Sequence, residues 1–273
     1  MTSAPADQLE NGDFDKLAKA RRSVPLADRW KENINLKHAE YVFILCYFFT
    51  GLLDCCAFNA WSCFAIMQTG NTIFLGLGAS NQPVGNPYGW LKSLIAICCF
   101  IIGCFTFSQA RRIGLRQRRM LSLSFLVQSI CILVAAALIQ ADIIPHPSNT
   151  TRVPSDIGNR LFLELIPLAL LAFQGGGQMA ASRGLGFNEL PTTVLTSVYY
   201  DVASDPLLTA RHNVKRSRRL LGSVALLIGA IVGGFIFKSD AGLAAALWLA
   251  GGLKFAIAVV WCFWKADEEN KNN

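Results

Sequence analysis

Charge is scarce in this chain. Asp, Glu, Lys and Arg make up 16% of its 273 residues, where a soluble domain carries about 25%. Such a shortage argues against a surface that faces water throughout. Histidine is rarer still: three residues, His38, His146 and His212, stand far apart. None of the nine cysteines forms a C-x-x-C pair, so the tight Cys and His spacing of a zinc site is missing. Cysteine is read here as a small apolar residue, and no cofactor is implied. Residues 1–40 contain no apolar stretch, which excludes a secretory signal at this position. The chain has no Gly-x-Ser-x-Gly elbow and no P-loop. Gly184-x-Gly186 follows no strand pattern. With no paired acids and no His–nucleophile pattern, the expectation is that the protein is not an enzyme.

What the chain does have is hydrophobic residues, 53% of the total, gathered in long runs. A spanning helix needs about 20 apolar residues to cross roughly 30 Å of hydrocarbon. Strong runs cover 41–61, 90–110, 120–141, 219–237 and 243–264, and the run at 161–181 is interrupted by Gly175, Gly176 and Gly177. Two segments, 64–80 and 190–203, are shorter or broken. The expected fold is an all-α polytopic membrane protein with about six transmembrane helices and two short broken or re-entrant segments. Residues 1–40 form a polar cytosolic tail, disordered or weakly helical, and 266–273 a second cytosolic tail. Residues 41–141 and 161–265 form two membrane halves, separated by a non-cytosolic loop at 142–160.

Basic residues set the orientation. Arg111, Arg112, Arg116, Arg118 and Arg119 follow one run, and Arg211, Lys215, Arg216, Arg218 and Arg219 precede another. Both clusters belong on the cytosolic side, which also accounts for the net charge of +7 without nucleic acid as a partner. If 64–80 crossed fully, the five-Arg loop would face the wrong side. If 64–80 and 190–203 dip in and return, every charged loop agrees, both termini are cytosolic, and Asn149 in Asn149-Thr150-Thr151 is available for glycosylation. Each half then reads span, broken dip, span, span, with opposite orientations. That is the plan of an inverted 3+3 repeat, in which broken segments build a site near the midplane.

The chain resembles the YoaK-type family, also called domain of unknown function 1275. The resemblance rests on Gly51-x-x-Asp54 with Phe58, on Gln68-Thr69-Gly70-Asn71, on the Gln174 to Gln178 glycine break, and on Thr192-Thr193 with Thr196. The second half departs from the pattern at Gln178 and Ser197. The resemblance implies a multi-spanning membrane fold and supplies no activity.

Asp54 is the leading candidate for a proton, cation or solute site, because an ionisable group within a span costs about 2.5–3.5 kcal/mol at the helix centre. The competing reading is a carboxylate bonded to neighbouring backbone. Gln68, Thr69, Gly70 and Asn71 offer neutral donors and acceptors around a helix break, or cap that break. Gln174 and Gln178 share a face if their helix survives the glycines. Thr192, Thr193, Thr196 and Tyr199 either line the second dip or pack helices through small residues and hydroxyls, and Lys254 either partners Asp54 or snorkels toward a surface. Together these suggest a transporter or channel for a small polar solute or ion, besides the lipid bilayer as the surrounding partner. The alternative classes are a membrane scaffold and, further off, a membrane-embedded enzyme. Sequence does not distinguish the plasma membrane from an internal one, nor give the oligomeric state.

Overall fold

The structure is a computed structural model and describes residues 29–82, 88–144 and 159–267. Its described elements are eight α-helices: α1 (Glu40–Trp61), α2 (Gln68–Gly78), α3 (Gly89–Ser108), α4 (Arg118–Gln140), α5 (Asn159–Gly184), α6 (Thr196–Ala203), α7 (Val214–Lys238) and α8 (Gly242–Phe263). A 3-10 turn, Gln109–Arg112, extends α3. Among the described residues, five helices are long and apolar enough to cross a membrane: α1, α3 with its turn, α4, α7 and α8. In an apolar medium only such internally bonded backbone is tolerated. α5 is a sixth long helix, of 26 residues. The sequon at Asn149 lies outside the described residues.

Side-chain contacts show which helix ends meet. The starts of α1 and α7 are joined by Glu40 and Arg218, 3.3 Å apart. The start of α3 meets the end of α1 where Lys92 Nζ donates to the Trp61 carbonyl at 3.4 Å. The chain between α1 and α3 therefore leaves and returns at one end of the bundle, here the far end. The end of α5 lies against Leu115 just ahead of α4, and Glu189 beyond it pairs with Arg218 at 2.7 Å. The chain between α5 and α7 leaves and returns at the near end, where α1 begins. Both short segments are thus dips, on opposite ends of the bundle.

Glycines bring the long helices together. A Cβ on Gly51 would stand 1.9 Å from the Leu226 carbonyl oxygen and 2.8 Å from the Ala230 nitrogen. One on Gly176 would stand 2.5 Å from the Phe100 oxygen and 2.6 Å from the Cys104 nitrogen. Conversely, a Cβ on Gly229 would stand 2.1 Å from the Phe48 oxygen and one on Gly103 2.2 Å from the Phe173 oxygen. This corrects one expectation. Gly175, Gly176 and Gly177 do not break their helix, because α5 runs unbroken from Asn159 to Gly184. The backbone hydrogen bonds survive, and the missing side chains are used for close approach, the membrane use of small residues. Gly229-x-x-x-Gly233 packs against α1 in the same way.

The polar tail also differs from expectation at its described end. Residues 30–35 are bound as a strap rather than loose. Ile34 N donates to the Arg116 carbonyl at 2.9 Å and Asn35 N to the Lys265 carbonyl at 2.9 Å. Glu32 pairs with Arg118 at 3.2 Å, and Ile34 is buried. Backbone pairing holds this segment, which a composition-based reading does not register.

Candidate functional site at the bundle centre

Asp54 lies on α1, buried, facing the first dip. Its Oδ1 accepts from Ile66 N at 2.7 Å and its Oδ2 from Met67 N at 2.9 Å. Met67 is the residue before α2, and no side chain of its own turn caps that helix. Asp54 therefore supplies the cap from another helix, and its negative charge faces the positive end of the α2 dipole. Asn71 completes the lock. Its amide donates to the Phe64 carbonyl at 2.7 Å and to Gln68 Oε1 at 2.8 Å, while Phe64 N donates back at 3.0 Å. Gln68 Nε2 donates to the Ala65 carbonyl at 2.9 Å. Gly70 lies under the Phe64 ring, which would meet a Cβ at 2.6 Å, and Thr69 is exposed. In this conformation the first-dip amides and the Asp54 carboxylate serve the backbone of the break.

Lys254 sits in the middle of α8 with 0% exposure. It is not the partner of Asp54, whose oxygens are taken by amides. Its Nζ donates instead to Gln128 Oε1 on α4 at 2.8 Å and to Gln174 Oε1 on α5. The rings of Phe49 and Phe125 lie 5.9 Å and 6.0 Å from it. Both amides are turned by their other ends: Gln128 Nε2 donates to Ser124 Oγ at 3.2 Å and Gln174 Nε2 to the Leu171 carbonyl at 2.9 Å. Among the described residues no carboxylate pairs with Lys254. Four helices thus converge on one buried amine through neutral groups. Sequence reasoning missed Gln128, although a lone amide within the apolar 120–141 run was a signal available to it.

Gln178 follows Gln174 by one turn on the same face. Its Nε2 donates to Thr50 Oγ1 at 2.9 Å and to the Cys46 carbonyl at 3.1 Å. Thr50 Oγ1 in turn donates to the Thr192 carbonyl at 2.9 Å, in the second dip. Thr192 is a β-branched residue held at φ 58°, where such side chains are genuine outliers. Gln178 Oε1 and Thr192 Oγ1 are buried with no hydrogen-bond partner among the described residues. Thr193 Oγ1 lies 3.3 Å from Met179 Sδ. Thr196 opens α6 and is exposed. Thr192 stands in the second dip as expected, and Thr50 is a further member of the site that sequence reasoning passed over as part of an apolar run. Beyond α6, Asp205 is held below the usual carboxylate range by the Leu207 N–H and the Asn213 amide donating to it. Among the described residues, no group of His, Cys, Asp and Glu is arranged to hold a metal ion.

A family model described as "Protein of unknown function (DUF1275)" matches residues 42–260. That is most of the chain, and the protein belongs to this family. No curated protein and no solved structure matches it.

Proposed function

We propose that this DUF1275 protein is a multi-pass membrane transporter or channel for a small polar solute or ion, built as an inverted repeat. The observation that carries the reading is the register of the two glycine crossings. In α1 with α7, Gly51 meets the carbonyl of one residue and the nitrogen of the residue four further on, next to Gly229. In α5 with α3, Gly176 meets the same two groups, next to Gly103. The return contacts are to the residue three before each: Phe48 for Gly51 and Phe173 for Gly176. An ion pair stands at the same place in each crossing. Lys92 precedes Gly103 by eleven residues and Arg218 precedes Gly229 by eleven. Lys92 pairs with Glu164 on α5, and Arg218 with Glu40 on α1. The two pairs lie at opposite ends of the bundle, as an inverted relation requires.

Six spans follow from this plan, with α5 counted as the fourth. The basic residues of the loops before α4 and α7 support a cytosolic near end. Gln128 and Lys254 occupy matching positions on α4 and α8, so the buried amine sits on the pseudo-symmetry axis. That is where inverted-repeat transporters keep their sites. With Lys254, Asn71 and Gln178 all out of reach of solvent, the conformation fits a closed step of an alternating cycle.

The test is uptake into reconstituted vesicles across a panel of small polar solutes, with and without an imposed pH gradient. The wild type is compared with Lys254→Met and with empty vesicles. Flux above empty vesicles that is lost in Lys254→Met supports the reading. Correctly folded wild type that moves nothing on a broad panel would overturn it in favour of a membrane scaffold.

A further inference from the structure

We infer that Lys254 is a proton-binding site, joined to the near end of the bundle by the buried polar row of Gln178, Thr50 and Thr192. Its purpose in a cycle presupposes the transport reading; its chemistry does not.

An ammonium has three N–H donors. Here two point to amide oxygens, and the remaining neighbours are phenyl faces. Neutral dipoles and ring quadrupoles favour a cation in part, but supply no counter-charge. A charge buried in this way is costly unless it is paired. Loss of one proton removes the charge and leaves two N–H groups for two amide oxygens. The closed bundle therefore satisfies the amine in full, while an opened one hydrates the ammonium. Protonation and opening are coupled through one nitrogen.

The groups facing Lys254 leave few other carriers. On α1 the facing titratable group is the Cys46 thiol and on α4 the Cys131 thiol. α5 contributes only the Gln174 amide. The charges of α7 stand at its ends, Lys215 to Arg219 and Lys238. The α1 carboxylate, Asp54, is bonded to the first dip. The polar row begins one helical turn from Gln174, at Gln178. It continues through Thr50 to the strained Thr192, which belongs to a dip that returns to the near end. Along it, Gln178 Oε1 and Thr192 Oγ1 have bonding capacity unused by the described residues. When the segment around Thr192 parts from α1, the row admits water. The proton passes to that water, and the electron pair stays on Nζ.

Cys46 reports the opening, because its side chain is fully buried beside the amine and its carbonyl is part of the row. The full chain in lipid nanodiscs is treated with N-ethylmaleimide between mildly acid and mildly basic pH. Modification of Cys46 is read by peptide mass spectrometry and normalised to a free thiol, so that ordinary thiolate formation cancels. The normalised rate in the wild type should rise several-fold toward acid pH, relative to Lys254→Met and Lys254→Gln. Thr50→Val, which keeps the shape and removes the hydroxyl that ties the Thr192 carbonyl to α1, should raise the rate at every pH, and an unchanged or lower rate would overturn the route through Thr192. The same pH profile in the wild type and both Lys254 variants, whether sloped or flat, overturns the assignment. This outcome is independent of solute flux, so the transport reading can stand or fall separately.

Discussion

The two dips occupy matching places in the chain and are held by different chemistry. Asp54 stands three residues after Gly51, and Met179 stands three after Gly176. Asp54 grips two backbone amides of the first dip with a charged carboxylate. Met179 offers the second dip a thioether facing Thr193. Asn71 ties the first dip to itself with four bonds to its own loop and helix, one of them from the Cys63 thiol. The second dip is tied to other helices instead, through Thr50 and through Ser182, whose hydroxyl donates to the Leu190 carbonyl at 2.5 Å. It also holds a strained residue, Thr192, whose hydroxyl has no hydrogen-bond partner among the described residues. A charge-assisted bond is roughly twice as strong as a neutral one. The comparison teaches that the two short segments have been given unequal locks, and under the proposed transport reading the less firmly held second dip is the one expected to move.

The likeness of the scaffolds is broken most severely at the crossings. Gly51→Leu and Gly176→Leu each drive a side chain into the backbone of the facing helix, which no rotamer change relieves. Both variants should fail to yield a monodisperse species on size-exclusion chromatography, and to similar degrees. A well-folded Gly176→Leu beside a failed Gly51→Leu would show that the two crossings are not equivalent.

The inequality of the locks is next in size. Asp54→Asn replaces two charge-assisted acceptors with one neutral acceptor and one clashing donor, costing about 3 kcal/mol. Met179→Leu conserves volume and should cost under about 1.5 kcal/mol. Thermal unfolding in one detergent ranks the pair. Equal losses would remove the distinction between a fixed and a mobile dip.

The sequence made the scaffold legible because long apolar runs and basic loops are one-dimensional signals. The first span was expected at 41–61 and is Glu40–Trp61; the last was expected at 243–264 and is Gly242–Phe263. The run at 219–237 begins earlier, at Val214, because Asn213 caps the helix by accepting from Arg216 N at 3.0 Å. The function of the glycines was harder to read. Three in a row weaken a helix in water, yet here Gly175, Gly176 and Gly177 meet Ile66, the α3 backbone and Phe107. The partners of the polar side chains were illegible for the same reason. Asp54 and Lys254 are the acid and the base deep within the described spans, and pairing them is the simplest guess from composition. Which helix each faces depends on packing between elements far apart in the chain, and that placed backbone amides around one and glutamines around the other.

The smallest expected effect is the one that most sharpens the contrast between the dips. Thr192 holds φ 58° with a β-branched side chain, a conformation that costs about 1–2 kcal/mol for residues other than glycine. Glycine adopts it freely but loses more entropy on folding, by roughly 0.5–1 kcal/mol. The hydroxyl it removes is buried and unbonded among the described residues, so its loss carries no bonding penalty. Thr50 bonds to the Thr192 carbonyl, which glycine retains. The methyl removed with the hydroxyl is also buried and worth about 1 kcal/mol, so Thr192→Gly should leave the unfolding temperature nearly unchanged, where the same change at an unstrained buried site lowers it. A fall in unfolding temperature would mean that no strain is stored at Thr192, and the second dip would then lack the device that sets it apart from the first.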